Sequence, residues 1–290
     1  VDPESRGLCG IVAALRQLLR FAWLEAQCCV FAVAVFVGLA ASAFVWAHLD
    51  LPVARYDALL IYVLVVQLVM LRSGLETRRE LLVICGFHLV GLALEVFKTA
   101  VGSWSYPQPG VLRVGQVPLF SGFMYASVGC YLCQAWRRFD LRVSGYHWLP
   151  ATVLALAAYA NFYTHHVIAD LRVPIAVVFL LVLGHAQVHF TVGAQRYRMP
   201  LWVSFVLIGF FLWLAENAGT LLGGWRYPDQ AQAWRMVHTG KLGSWAMLVG
   251  LSFVMVATLK GLEGRLHTGG SERSLVRGIV GVLTAQRAGR

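Results

Sequence analysis

The sequence predicts an all-α integral membrane protein. Eight transmembrane helices form two parallel four-helix repeats, with both termini cytoplasmic. Three observations lead there. Hydrophobic residues make up 59% of the 290 positions and charged residues only 13%, whereas a soluble domain carries about 25% charged residues. Apolar runs recur at the roughly 20-residue length that a bilayer core demands. And one stretch of the chain is copied. Glu95-Val-Phe-Lys98-Thr-Ala-Val-Gly102-Ser-Trp104-Ser-Tyr106-Pro107 aligns without a gap on Glu216-Asn217-Ala-Gly-Thr-Leu-Leu-Gly223-Gly-Trp225-Arg-Tyr227-Pro228, at a constant offset of 121 residues. Gly122 and Gly129 fall on Gly243 and Gly250 at the same offset.

Residues 1–26 read as a cytoplasmic segment. Val1 to Gly10 lacks the positive start and apolar core of a signal peptide. Ile11 to Glu25 is amphipathic, with Arg16 and Arg20 on one face and Leu15, Leu18, Leu19 and Ala22 on another, a pattern that suits the membrane surface. The expected spans follow at about 27–47, 56–74, 80–101 and 117–136, forming the first repeat within residues 27–142. Those at about 146–164, 171–190, 199–221 and 240–261 form the second within residues 143–263. A linker near Arg142 to Tyr146 joins them. Residues 264–290 read as a basic cytoplasmic tail with one apolar patch, Leu275 to Leu283, suited to anionic lipid.

Lys and Arg set the orientation. Seventeen fall in the termini and even-numbered connections, and six in the odd-numbered ones. An even number of spans per half makes the two halves enter the membrane in the same direction, related by an axis along the membrane normal. The net charge of +10 belongs to these span ends. No basic domain or base-stacking motif accompanies it, which argues against nucleic acid. Of six cysteines, Cys130 and Cys133 form a CxxC pattern inside an apolar run and read as packing residues.

Glu95 and Glu216 are the candidate catalytic residues. A carboxylate in a membrane helix is costly and marks function, and two at equivalent depth converge on the symmetry axis. Lys98 follows Glu95 by one helical turn and is expected to pair with it; Gly219 stands at the equivalent position. After each Glu, Gly ends the helix and Pro prevents its continuation. Trp104, Tyr106, Trp225 and Tyr227 then read either as anchors at the membrane interface or as a roof over the site that offers ring faces to a cation or polyene. With Lys98 and Asn217 they are the candidate ligand-binding residues. Of the histidines, His88, His185 and His189 are the weak candidates for a metal or haem, while His165 and His166 sit at the other end of the bilayer. No P-loop, dinucleotide fingerprint or serine nucleophile elbow is present.

The segments from His88 to Pro107, Pro118 to Tyr125, Asn161 to His166 and Trp213 to Thr220 resemble a bacterial membrane-protein family, domain of unknown function 817, over roughly residues 20–262. The resemblance implies a multi-pass protein of the bacterial inner membrane. A more distant likeness is to membrane lycopene cyclases and carotenoid hydratases, which are also small, apolar and duplicated, with a Glu followed by Gly and aromatics. That likeness implies acid-initiated chemistry on a long isoprenoid, in which a protonated carboxyl adds H⁺ to an alkene. It departs at His48 to Asp57, where the paired acidic residues of those cyclases are missing. The readings that follow are a pocket for a lipid, isoprenoid or carotenoid with the Glu pair at its outer end; a non-catalytic accessory subunit of a larger membrane complex for pigment or electron transfer; and a proton- or cation-coupled transporter.

Overall fold

The computed structural model describes residues 3–262. The basic tail and its apolar patch lie outside the described residues. Nine α-helices run through these residues: α1 (Pro3–Cys28), α2 (Val30–His48), α3 (Arg55–Arg72), α4 (Arg78–Ala100), α5 (Gly122–Arg138), α6 (Trp148–Thr164), α7 (Arg172–Leu183), α8 (Leu201–Leu221) and α9 (Lys241–Leu262). Four of them, α2, α4, α8 and α9, are long and apolar enough to cross a membrane, which marks a membrane protein. Helices α3, α5 and α6 are 17 or 18 residues long.

The helix ends follow from local sequence. Thr77 Oγ1 accepts from the Glu80 amide at 3.2 Å, and the Glu80 carboxylate accepts from the Thr77 amide at 3.0 Å. This reciprocal cap starts α4. Helices α4 and α8 stop in the same way. Gly102 and Gly223 adopt φ of 75° and 67°, the left-handed region that glycine enters without steric cost. The next amides then reach back, Ser103 to the Lys98 carbonyl and Gly224 to the Gly219 carbonyl, at 2.9 Å each.

The expected span at 171–190 is interrupted. Helix α7 ends at Leu183 after 12 residues. The chain then forms an antiparallel hairpin of β4 (Gln187–Val192) and β5 (Gln195–Pro200), turning at Gly193. Gln187-Val-His-Phe-Thr-Val192 alternates polar and apolar residues, the period of a strand rather than a helix. Val188 and Val192 are buried. The expected linker pairs with this hairpin as β3 (Arg142–Ser144), giving the strand order β3-β4-β5.

Helix α4 packs along α5 as α8 packs along α9, and α5 lies against α9. Helix α4 also meets α6 and α9. On the other side, α2 packs on α3 and α5 but α8 does not pack closely on α2 or α5. A seam is left there. Below α4 and α9 a polar cluster is buried. Glu80 is fully enclosed and binds Lys260 at 2.9 Å and Arg137 at 3.2 Å. Glu76 beside it accepts from Gln67 and from Cys130 Sγ. Cys130 and Cys133 are both buried.

Candidate functional site: two carboxylates under one aromatic lid

The two copied motifs meet. Ser105 and Arg226 form an antiparallel bridge, each amide donating to the other's carbonyl at 2.9 Å. The bridge holds the Trp-x-Tyr-Pro segments side by side over the ends of α4 and α8. Two further strands of only two residues, β1 (Arg113–Val114) and β2 (Val117–Pro118), tie the first segment back toward α5.

Glu95 and Glu216 are only 3% and 5% exposed, and they stand within electrostatic reach of one another. Glu95 accepts three hydrogen bonds: Trp104 Nε1 at 2.6 Å and Tyr106 OH at 2.7 Å on Oε2, and Tyr125 OH at 2.8 Å on Oε1. Glu216 accepts from Tyr227 OH on Oε1 and from Trp245 Nε1 at 2.7 Å on Oε2. So each buried carboxylate is met by an indole N–H and a phenol from its own half. Such donors offset the cost of burying the group. Burial, together with the neighbouring Glu, holds the Tyr106 and Tyr227 phenols well above their ordinary pKa. Both therefore remain proton donors.

The indoles are not equivalent. Trp104 serves Glu95, but Trp225 turns onto α8, its ring against Gly219. Trp245 on α9 takes its place at Glu216. Gly219 is glycine because a Cβ there would collide with the Trp225 ring. On α4, Gly91 similarly leaves room for Tyr125, whose hydroxyl then reaches Glu95 one turn on.

Lys98 does not pair with Glu95. Its ammonium lies 2.8 Å from His166 Nε2 and 3.4 Å from His165 Nε2. His165 Nδ1 is 2.8 Å from the Asn161 carbonyl, so Nδ1 carries the proton and Nε2 is free to accept. The cation against the lid rings is Lys241, the first residue of α9. Its ammonium is 5.1 Å from the Trp104 ring centre and 4.6 Å from that of Tyr227, within cation–π range.

Beneath the lid runs a cavity of about 1070 Å³, at the top of the ~300–1,000 Å³ range of ligand pockets. It follows the seam between α2 and α8. Glu95, Lys98, Trp104, Glu216, Trp225, Tyr227 and Lys241 line one end. Leu39, Leu132, Phe205, Ile208, Leu212 and Phe253 line the middle, and Glu25, Tyr131, Phe139 and Phe190 the other end. Along α8 the lining runs from Leu201 to Glu216, about 22 Å at 1.5 Å per residue.

Two expected ligand residues are used otherwise. Tyr106 holds Glu95 and does not line the cavity, and Asn217 pins the following loop by accepting from the Val237 amide at 2.8 Å. The weak metal candidates do not assemble. His88 packs on the Phe123 ring, His185 is exposed, and His189 contacts Ser144 Oγ on the β-sheet. Among the described residues no group of three His, Cys, Asp or Glu is placed to hold a metal ion. Sequence reasoning missed Arg55, which donates to the Leu39, Leu222 and Gly223 carbonyls and so joins the ends of α2 and α8. Its place at a span border made it look like a topological charge only.

The profile of a family described as "Protein of unknown function (DUF817)" matches residues 17–253. The chain is 49% identical over 257 residues to "Uncharacterized protein YoaT" of Bacillus subtilis (strain 168), covering 88% of this chain and 96% of that protein. No solved structure matches. The chain is a member of the DUF817 family.

Proposed function

We propose that this is a multi-pass protein of the bacterial inner membrane that holds a lipid- or isoprenoid-sized molecule in the cavity between its two halves. Spans α2–α5 and α6–α9 are read as a duplicated unit, both entering the membrane from the cytoplasmic side. The lid then faces outward. The observation that carries the reading is the elongated apolar cavity that ends at the carboxylate pair.

The duplication explains where the cavity is. One junction between the halves is closed by α4 against α6 and α9. Its counterpart, α8 against α2 and α5, is not closed. A symmetric dimer of units would seal both, so the open seam is the feature to be filled. The donors around the carboxylates favour binding over acid-initiated chemistry. Trp104 and Trp245 can only donate. A proton on Glu95 or Glu216 would therefore sit on Oε1, facing Tyr125 or Tyr227, rather than an alkene in the cavity.

The test is to fill the cavity. Ala215 lines it on α8. Ala215→Trp should purify with markedly less bound lipid or isoprenoid than wild type, as read by mass spectrometry of the extracted protein. Equal ligand content in the two proteins contradicts the reading.

A further inference from the structure

One ammonium at the cavity's lidded end meets ring faces but no acceptor among the described residues. Lys241 is half-buried, and its ammonium makes no hydrogen bond or direct ion pair among the described residues. The ring faces of Trp104 and Tyr227 hold the charge but offer no lone pair to its N–H groups. Glu95 and Glu216 attract it electrostatically, but the hydrogen bonds to their oxygens come from tyrosine and tryptophan donors.

Two further cations line the same end. Lys98 interacts electrostatically with both Lys241 and Arg172. It spends two of its three donors on His165 and His166, leaving one. Arg172 is oriented by Asp170 at 2.5 Å and by Ser244 at 3.0 Å, one turn along α9 from Lys241. These like charges repel one another, and Glu95, Glu216 and Asp170 offset part of that repulsion without hydrogen-bonding the Lys241 ammonium. The arrangement is thus a set of aimed donors at the head of a long apolar channel.

We propose that Lys241, flanked by Lys98 and Arg172, receives the oxyanion of a phosphate-class head group whose long apolar chain fills the cavity. The ligand is an anionic amphiphile. This rests on the cavity being a ligand site and adds the chemistry of the ligand's polar end. Ammonium and guanidinium donors to phosphate oxygens form charge-assisted hydrogen bonds, and the aromatic faces keep Lys241 in place with or without the anion.

The experiment uses the full-length chain in detergent, titrated with dioleoyl phosphatidic acid, with dioleoylglycerol and with inorganic phosphate, and followed by native mass spectrometry. Wild type should prefer phosphatidic acid to dioleoylglycerol by about tenfold or more, the worth of one charge-assisted hydrogen bond. Lys241→Met should erase the preference and leave dioleoylglycerol binding unchanged, while Lys241→Arg should keep it. Inorganic phosphate at the lipid's concentration should not compete. Equal binding of the two lipids to wild type overturns the head-group assignment and leaves the cavity reading standing. A preference that survives Lys241→Met also overturns it, because Lys241 then does not receive the head group. Competition by inorganic phosphate at equal concentration replaces the lipid by a free anion. If neither lipid binds, the cavity reading itself fails.

Discussion

Ser105 and Arg226 are the same position of two copied motifs, and they hydrogen-bond to each other through both backbone amides. The bridge sets the two motifs side by side. The lid is therefore built by both motifs at once, and a backbone bridge joins the segments that follow the two carboxylates.

A pair that exchanges both hydrogen bonds places its Cα atoms about 5.5 Å apart, inside disulfide range. Ser105→Cys combined with Arg226→Cys should cross-link under mild oxidation in membranes, as read by mass spectrometry of the linked peptides. Absence of the link would mean that the motifs do not face each other.

Glu216→Gln replaces one acceptor oxygen by an amide that donates. Trp245 Nε1 and Tyr227 OH then compete for a single acceptor. The variant should remain folded, with a lowered melting temperature, and lose co-purified ligand. Glu95→Gln, which faces three donors, should show the larger drop in melting temperature.

Gly219→Leu forces Trp225 off α8. Overpacking of this kind costs about 1–3 kcal/mol, which thermal unfolding in detergent would show. Gly91→Leu, which displaces Tyr125, should cost a similar amount and also disturb Glu95.

Removing the Glu80 carboxylate breaks its buried contact with Lys260 and its ion pair with Arg137. Glu80→Ala should destabilise the protein by about 3–5 kcal/mol, and Glu80→Met with Lys260→Met should recover most of the loss, since a well-packed apolar pair replaces a buried ion pair at little cost. Denaturation of the three proteins checks this.

Hydrogen bonds from Arg172 hold the Asp170 carboxyl below its ordinary range. A depressed folded-state pKa stabilises at pH above the unfolded value of about 3.9, and the contribution disappears as pH falls through the folded value. Asp170→Asn should thus melt lower than wild type at neutral pH, and the gap should narrow in acid. A gap independent of pH would contradict the pairing.

Much of the site was legible because it is repeated. Glu, Gly, Trp, Tyr and Pro recur at one offset, and helix stops at Gly102 and Gly223 follow from glycine alone. What stayed hidden depends on tertiary contact. Tyr125 and Trp245 are separated by 120 residues rather than 121, so alignment does not pair them, yet they do equivalent work. Lys98 sits one turn from Glu95, which favours a pair on an isolated helix; packing of the α6 end brings His165 and His166 closer. Lys241 opens α9, where a lysine at a span end reads as an orientation charge. The hairpin of β4 and β5 carries the alternation of a strand, but in β4 that signal is only six residues long and closely follows the apolar run of α7.

A density map of the protein reconstituted in bilayer discs tests the central claim most directly. Elongated density is expected along the seam between α2 and α8, with its polar end at Lys241 below the lid joined by Ser105 and Arg226. A seam closed by direct packing of α8 on α2, or filled by water continuous with both sides, would contradict it.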